Sequence, residues 1–228
     1  ISRGDWSSDV CSSDLSPLKD FFEVISYDQR GLGQTSKPHN VYTMKQYADD
    51  AADLINKLQL PRLPVMGVSF GGMVAQELAI RHPDKVSKLV LACTSSGGRG
   101  GSSYPLHELE DLNPNDRLEQ SIKINDLRIT DDWIQKNTED WKRLKEMTVN
   151  RNQFKPDHKG YMNQLMARKE HDTFDRLYKI EIPVFLLGGK YDGIAPMENM
   201  KALNKEIQNS KLKFYQGGHL FLIQDKQA

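Results

Sequence analysis

The five residues Gly67-Val68-Ser69-Phe70-Gly71 constrain this chain more than any other stretch. Before them runs a short apolar segment, Leu63 to Met66, with β-branched Val65; after them, Met73 to Ile80 is a good helix-forming run. The order is strand, sharp turn, helix. A serine held on so tight a turn has strained backbone angles, and side chains at the flanking glycine positions would collide with the turn. The helix that follows places the positive end of its dipole beside the serine, which favours negative charge there. Alone, a G-x-S-x-G pattern also arises by chance as a capped turn, so its meaning depends on the residues downstream.

Those residues come in a telling order. Residues 182–189 read as a buried strand, because the run is almost continuously apolar. It leads into Lys190-Tyr191-Asp192-Gly193-Ile194-Ala195-Pro196, then a helix over 197–207, a strand over 211–216 and the loop Gly217-Gly218-His219. Ser69, Asp192 and His219 thus each follow the carboxyl end of a strand, the rim where functional groups collect in an open α/β sheet. A serine hydroxyl is a weak nucleophile at neutral pH unless a base lies within hydrogen-bond reach. An imidazole can take its proton and return it, and a carboxylate can hold the ring in the correct tautomer. Ser69 is therefore the candidate nucleophile, His219 the general base and Asp192 the orienting acid, with Phe70 N–H as a donor to the oxyanion.

On these residues the chain resembles the α/β-hydrolase family. Residues 27–36, with Asp28-Gln29-Arg30-Gly31, are similar to the loop after that family's fourth strand; Gly67 to Gly72 resembles its nucleophile elbow. Gly189 to Asp192 resembles its acid turn and Gly218-His219 its histidine loop. The resemblance covers roughly residues 20–95 and 180–225. Within it, Gly72-Met73-Val74-Ala75-Gln76 and Leu91-Ala92-Cys93-Thr94 look most like the 3-oxoadipate enol-lactonase group and its esterase neighbours. The resemblance implies a mostly parallel sheet flanked by helices, with a helical cap inserted. It also implies a serine hydrolase of small carboxylic esters or lactones that works through an acyl-enzyme and needs no cofactor or metal. The family uses the same triad to cleave C–C and amide bonds or for haloperoxidase-like perhydrolysis, and some members are non-catalytic binding scaffolds; these stand as alternatives. Serine at the nucleophile position argues against haloalkane dehalogenase or epoxide hydrolase chemistry, where the family uses aspartate.

The chain divides into residues 1–15, a core of 16–100 and 175–228, and a helical cap of 101–174. Residues 5–15 resemble a translated sequencing adapter and read as non-native, which removes Cys11 and leaves Cys93. Residues 21–27 read as the first strand and match the family's fourth. The chain then reads as a fragment of a longer enzyme, without the loop that donates the second oxyanion N–H. Residues 42–58 predict a helix with Thr43 as N-cap, 86–93 a strand, 95–103 a flexible hinge, and 220–228 the start of a final helix. From about 106 to 174 the pattern is polar and helical, with Trp133 and Trp141 two turns apart as core of the cap. Asp28 and Arg30 read as loop braces and His82 as a cation at a helix C-terminus. His39, His107, His158 and His171 read as surface residues.

Lysine plus arginine number 31, and aspartate plus glutamate number 31. This balance gives no electrostatic reason to expect nucleic acid or an anionic membrane as partner. No apolar run approaches the roughly 20 residues needed to span a bilayer. Two cysteines make no disulfide framework, so a reducing cytoplasm is the expected compartment and a small ester or lactone the expected partner.

Overall fold

The computed structural model describes residue 18, residues 20–151 and residues 157–228. Four strands form one sheet in the order β1 (Leu63–Val68), β2 (Val86–Ala92), β3 (Val184–Gly189) and β4 (Ser210–Tyr215). All three pairings are parallel, with Val65 opposite Leu89, Leu91 opposite Leu186 and Leu186 opposite Leu212. Three helices cover one face: α1 (Met44–Lys57), α2 (Phe70–Arg81) and α7 (Met197–Glu206). Ala51 and Ile55 of α1, Leu78 of α2 and Leu203 of α7 meet Leu89, Leu91 and Leu186 of the sheet in the main core.

The helices form where the sequence predicts them, for legible reasons. Thr43 caps α1: its hydroxyl accepts from Gln46 N–H while the Gln46 side chain accepts from Thr43 N–H, a reciprocal capping box. Ala48, Ala51, Ala52 and Ile55 turn the buried face of α1 to the core, an amphipathic period. Eight consecutive residues of α2, Gly72 to Ala79, are buried. A helix buried around its whole circumference is one enclosed by protein, here by α1, the sheet and the chain around residues 94–96 and 173–176, where Gln76 and Glu77 find polar partners.

Several sequence expectations need correction. Residues 21–27 form no strand. A strand exists by pairing; β1 is the sheet's outermost strand on this side among the described residues, and residues 21–27 do not pair with its free edge. Phe21 and Phe22 are exposed, while Tyr27 packs on the main core. The strand over 184–189 is not wholly enclosed, since Phe185 is 40% exposed on the sheet's second face. Among the described residues, a core covers the carboxyl end of that face, with Cys93, Leu187, Tyr215 and Phe221 of α8 (Phe221–Gln224) in it.

Residues 95–103 are no flexible hinge. Ser95 and Ser96 are buried, Gly97 bridges Asp172, and Thr173 N–H donates to Ser96 O at 2.8 Å. Glycine serves close approach here: a Cβ on Gly97 would run into His171 O, and its φ of +69° lies in the left-handed region. The two ends of the inserted segment are thereby stitched together. Between them lie α3 (Pro114–Asn125), α4 (Asp131–Lys136), α5 (Thr138–Arg151) and α6 (His158–Lys169). Trp133 and Trp141 fall on different helices, because Asn137 interrupts the run; Trp141 is buried and Trp133 half-buried.

His171 is not a surface residue. It is buried beside the stitch, with neither ring nitrogen in a hydrogen bond of ordinary geometry, and burial pushes its pKa down to about 4. Asp28 and Arg30 do brace their loop: Asp28 accepts from Gln34 N–H and Arg30 forms a two-pronged pair with Asp50. His82 meets Asp49 at 2.7 Å. The reading of residues 1–15 falls outside the described residues.

Candidate active site

Ser69 stands between β1 and α2 with φ +52° and ψ −116°, a backbone conformation costly for a residue with a Cβ. The surroundings hold it there. Ser69 N–H donates to Ala92 O at 2.9 Å, and Ser69 O accepts from Gly72 N–H at 2.9 Å and from the Thr94 hydroxyl at 2.8 Å. The glycines around it have distinct reasons. A Cβ on Gly67 would strike the Gly71 carbonyl, and one on Gly72 would lie 2.6 Å from Thr94 Cβ. Gly71 differs from the sequence expectation, because a Cβ there would meet no atom within 4 Å.

Three distant points of the chain converge at this serine. His219 Nε2 lies 2.9 Å from Ser69 Oγ, and His219 Nδ1 lies 2.9 Å from Asp192 Oδ2. A carboxylate only accepts, so the ring donates through Nδ1–H and presents Nε2 as acceptor to the hydroxyl. The other carboxylate oxygen, Oδ1, accepts from Ile194 N–H and Ala195 N–H, each at 2.8 Å. Asp192 is fully enclosed and the His219 side chain is 10% exposed, so the relay is screened from bulk water on the acid side and open toward the serine. Phe70 is the first residue of α2, so its N–H has no partner within that helix and sits next to the hydroxyl.

Both loops are held from the helical insertion. His219 N–H donates to Asn125 O at 2.6 Å, Gly193 N–H to Ile124 O at 3.0 Å, and Leu127 N–H to Tyr191 O at 2.9 Å. The carboxyl end of α3 is therefore bonded to the loops that carry Asp192 and His219. No sequence signal marks this role, since the contacts run through backbone groups.

Cys93 also escaped the sequence reading. Its sulfur, a carboxylate oxygen of Asp192 and a ring nitrogen of His219 lie within 4.8 Å of one another, the one such group of possible metal ligands among the described residues. Burial, reinforced by Asp192, raises the thiol well above its ordinary pKa. A protonated thiol is a poor metal ligand, and the carboxylate and ring are already engaged with each other. The donor set fits a proton relay better than a metal.

Residues 4–226 match the family model described as alpha/beta hydrolase fold. A poly(3-hydroxyalkanoate) depolymerase of Ectopseudomonas oleovorans is 31% identical over 208 residues, covering 90% of this chain and 71% of the relative. A 3-oxoadipate enol-lactonase 2 of Acinetobacter baylyi is 26% identical over 212 residues, 92% of this chain and 77% of the relative. Among solved structures, the enol-lactonase from Burkholderia xenovorans LB400 superimposes with a TM-score of 0.73 at 20% identity, covering 92% of this chain and 79% of the other. The expected parallel sheet, the motifs in their order and these relatives agree: the chain belongs to the α/β-hydrolase fold family, in the company of its lactonases and esterases.

Proposed function

We propose that the chain is a serine hydrolase of small carboxylic esters or lactones, with Ser69 as nucleophile, His219 as general base and Asp192 as the acid that orients it. The reading is carried by the two 2.9 Å hydrogen bonds that join these side chains into one relay. Ser69 Oγ bonds to the substrate carbonyl carbon while His219 Nε2 takes its proton, and Asp192 stabilises the imidazolium that forms. The oxyanion accepts from Phe70 N–H, where the start of α2 favours the developing charge. His219 then gives its proton to the departing alkoxide as the ester C–O bond breaks. A water attacks the acyl-enzyme, His219 takes its proton, and Ser69 is released with the carboxylic acid.

The helical insertion serves as the cap, because the end of α3 is bonded to both loops that carry the relay. Ester chemistry is preferred over C–C cleavage or perhydrolysis because an ester or lactone needs only this relay and an oxyanion donor. A panel of para-nitrophenyl esters and simple lactones, set beside a vinylogous diketone, tests the choice. The reading expects ester or lactone turnover that falls by about a thousandfold or more in Ser69→Ala. Turnover of the diketone alone would transfer the relay to C–C chemistry, and undiminished ester turnover in Ser69→Ala would refute it.

A further inference from the structure

Side chains as well as backbone groups join the two loops of the relay. Asp126 follows α3 directly and is only 5% exposed. Its Oδ1 accepts from Arg128 N–H at 3.1 Å and from Arg128 Nε at 2.8 Å. Its Oδ2 accepts from Arg128 Nη2 at 2.5 Å and from Gln224 Nε2 at 3.3 Å. The other end of the Gln224 amide, Oε1, accepts from Gly218 N–H at 2.8 Å. Gly218 directly precedes His219, and the Arg128 guanidinium lies 4.8 Å from the ring of Tyr191, which directly precedes Asp192. One buried carboxylate thus reaches, through two partners, the residue before the base and the residue before the acid.

The chemistry at position 224 is specific. The group there accepts from a backbone amide at one end and donates to a carboxylate at the other, and an amide does both without charge. A carboxylate at 224 would only accept, and would face Asp126 as a like charge. The histidine loop is also seated without slack. A Cβ on Gly218 would strike Asn125 O, and His219 N–H donates to that same carbonyl at 2.6 Å. Displacement of a reacting group by about 1 Å can cost on the order of a hundredfold in rate. A loop pushed away from α3 carries His219 with it, against hydrogen bonds of 2.9 Å to both Ser69 and Asp192.

We propose that Asp126 and Gln224 are positioning residues, and that their bridge holds the histidine loop against the end of α3 so that His219 meets Ser69 and Asp192 together. The inference rests on the hydrolase reading above and adds two side chains outside the triad on which its rate depends. Gln224→Glu, Asp126→Asn and the double variant test it on a para-nitrophenyl ester. Gln224→Glu sets two carboxylates against each other. Asp126→Asn must turn its amide N–H toward either Arg128 or Gln224 Nε2, and so forfeits one contact. Each single variant should lose about 5- to 30-fold in kcat, with KM changed by less than about threefold. In the double variant amide and carboxylate exchange places, so the bridge re-forms and kcat should return to within about threefold of the wild type.

The exchange separates positioning from mere support of the fold, which would lower the urea midpoint and leave kcat alone. Single variants with kcat within about twofold of the wild type, or losses that the double variant does not recover, would overturn the bridge and leave ester hydrolysis standing. If the wild type cleaves no ester, the hydrolase reading alone falls. The proton NMR signal of His219 Nδ1–H, recognised by its absence in His219→Ala, then decides the bridge without turnover. A signal displaced in both single variants and restored in the double variant supports it; one unmoved throughout overturns it. Should the chains carrying Asp126→Asn fail to fold, Gln224→Glu decides by the same measurements.

Discussion

At the scale of single residues, Ser69 carries the account. Its positive φ is imposed by the turn and held by the Ala92, Gly72 and Thr94 contacts. Strain of this kind costs about 1–3 kcal/mol and persists because the surroundings over-determine it. Ser69→Gly and Ser69→Ala both delete the hydroxyl, but only glycine relaxes the backbone. Urea unfolding should therefore find Ser69→Gly more stable than Ser69→Ala by about 1 kcal/mol. Equal stabilities would mean the turn stores no strain. The identity of this residue was readable because the strand and helix on either side have unmistakable patterns.

At the scale of elements, the join of β1 to α2 distinguishes two glycines that look alike in sequence. Gly72→Ala pushes a methyl into Thr94, whose hydroxyl also holds Ser69 O, and should cost about 1–3 kcal/mol with loss of activity. Gly71→Ala points into open space on a helix and should leave stability unchanged or raise it by up to about 1 kcal/mol. Thermal unfolding of the two variants checks the contrast, and a severe loss in Gly71→Ala would contradict it. The helices and the four paired strands were legible because their apolar periods match the sheet and helix faces they bury. Residues 21–27 were misread because an apolar β-rich run becomes a strand only when it pairs, and the pairing is not written in the run itself. Residues 95–103 were misread because serine and glycine compose both loose linkers and tightly packed crossings. Only the contacts of Gly97 with His171 and Asp172 tell these apart.

At the scale of the whole molecule, the insertion and the core are tied through buried polar groups, and this sets the response to acid. His171 lies in that seam with its pKa pushed down to about 4 by burial, against an ordinary value near 6.5. The unfolded chain takes up the proton first as pH falls. Stability is therefore full above about pH 6.5, declines between about 6.5 and 4, and loses on the order of 3 kcal/mol from this group alone. His171→Leu should flatten that part of a stability-versus-pH curve measured by urea unfolding; an unchanged slope would show that the ring is not protonated only on unfolding. Glu77, paired with Arg176 through two hydrogen bonds of 2.9 and 2.6 Å, fastens the same seam to α2. All of this serves to hold one hydroxyl against one imidazole. Reaction of the folded chain with a fluorophosphonate, followed by peptide mass spectrometry, reads that arrangement directly. A single phosphonyl adduct on Ser69, slowed strongly in His219→Ala and absent in Ser69→Ala, is the result expected. A folded chain that stays unmodified, or an adduct on another residue, would contradict the relay.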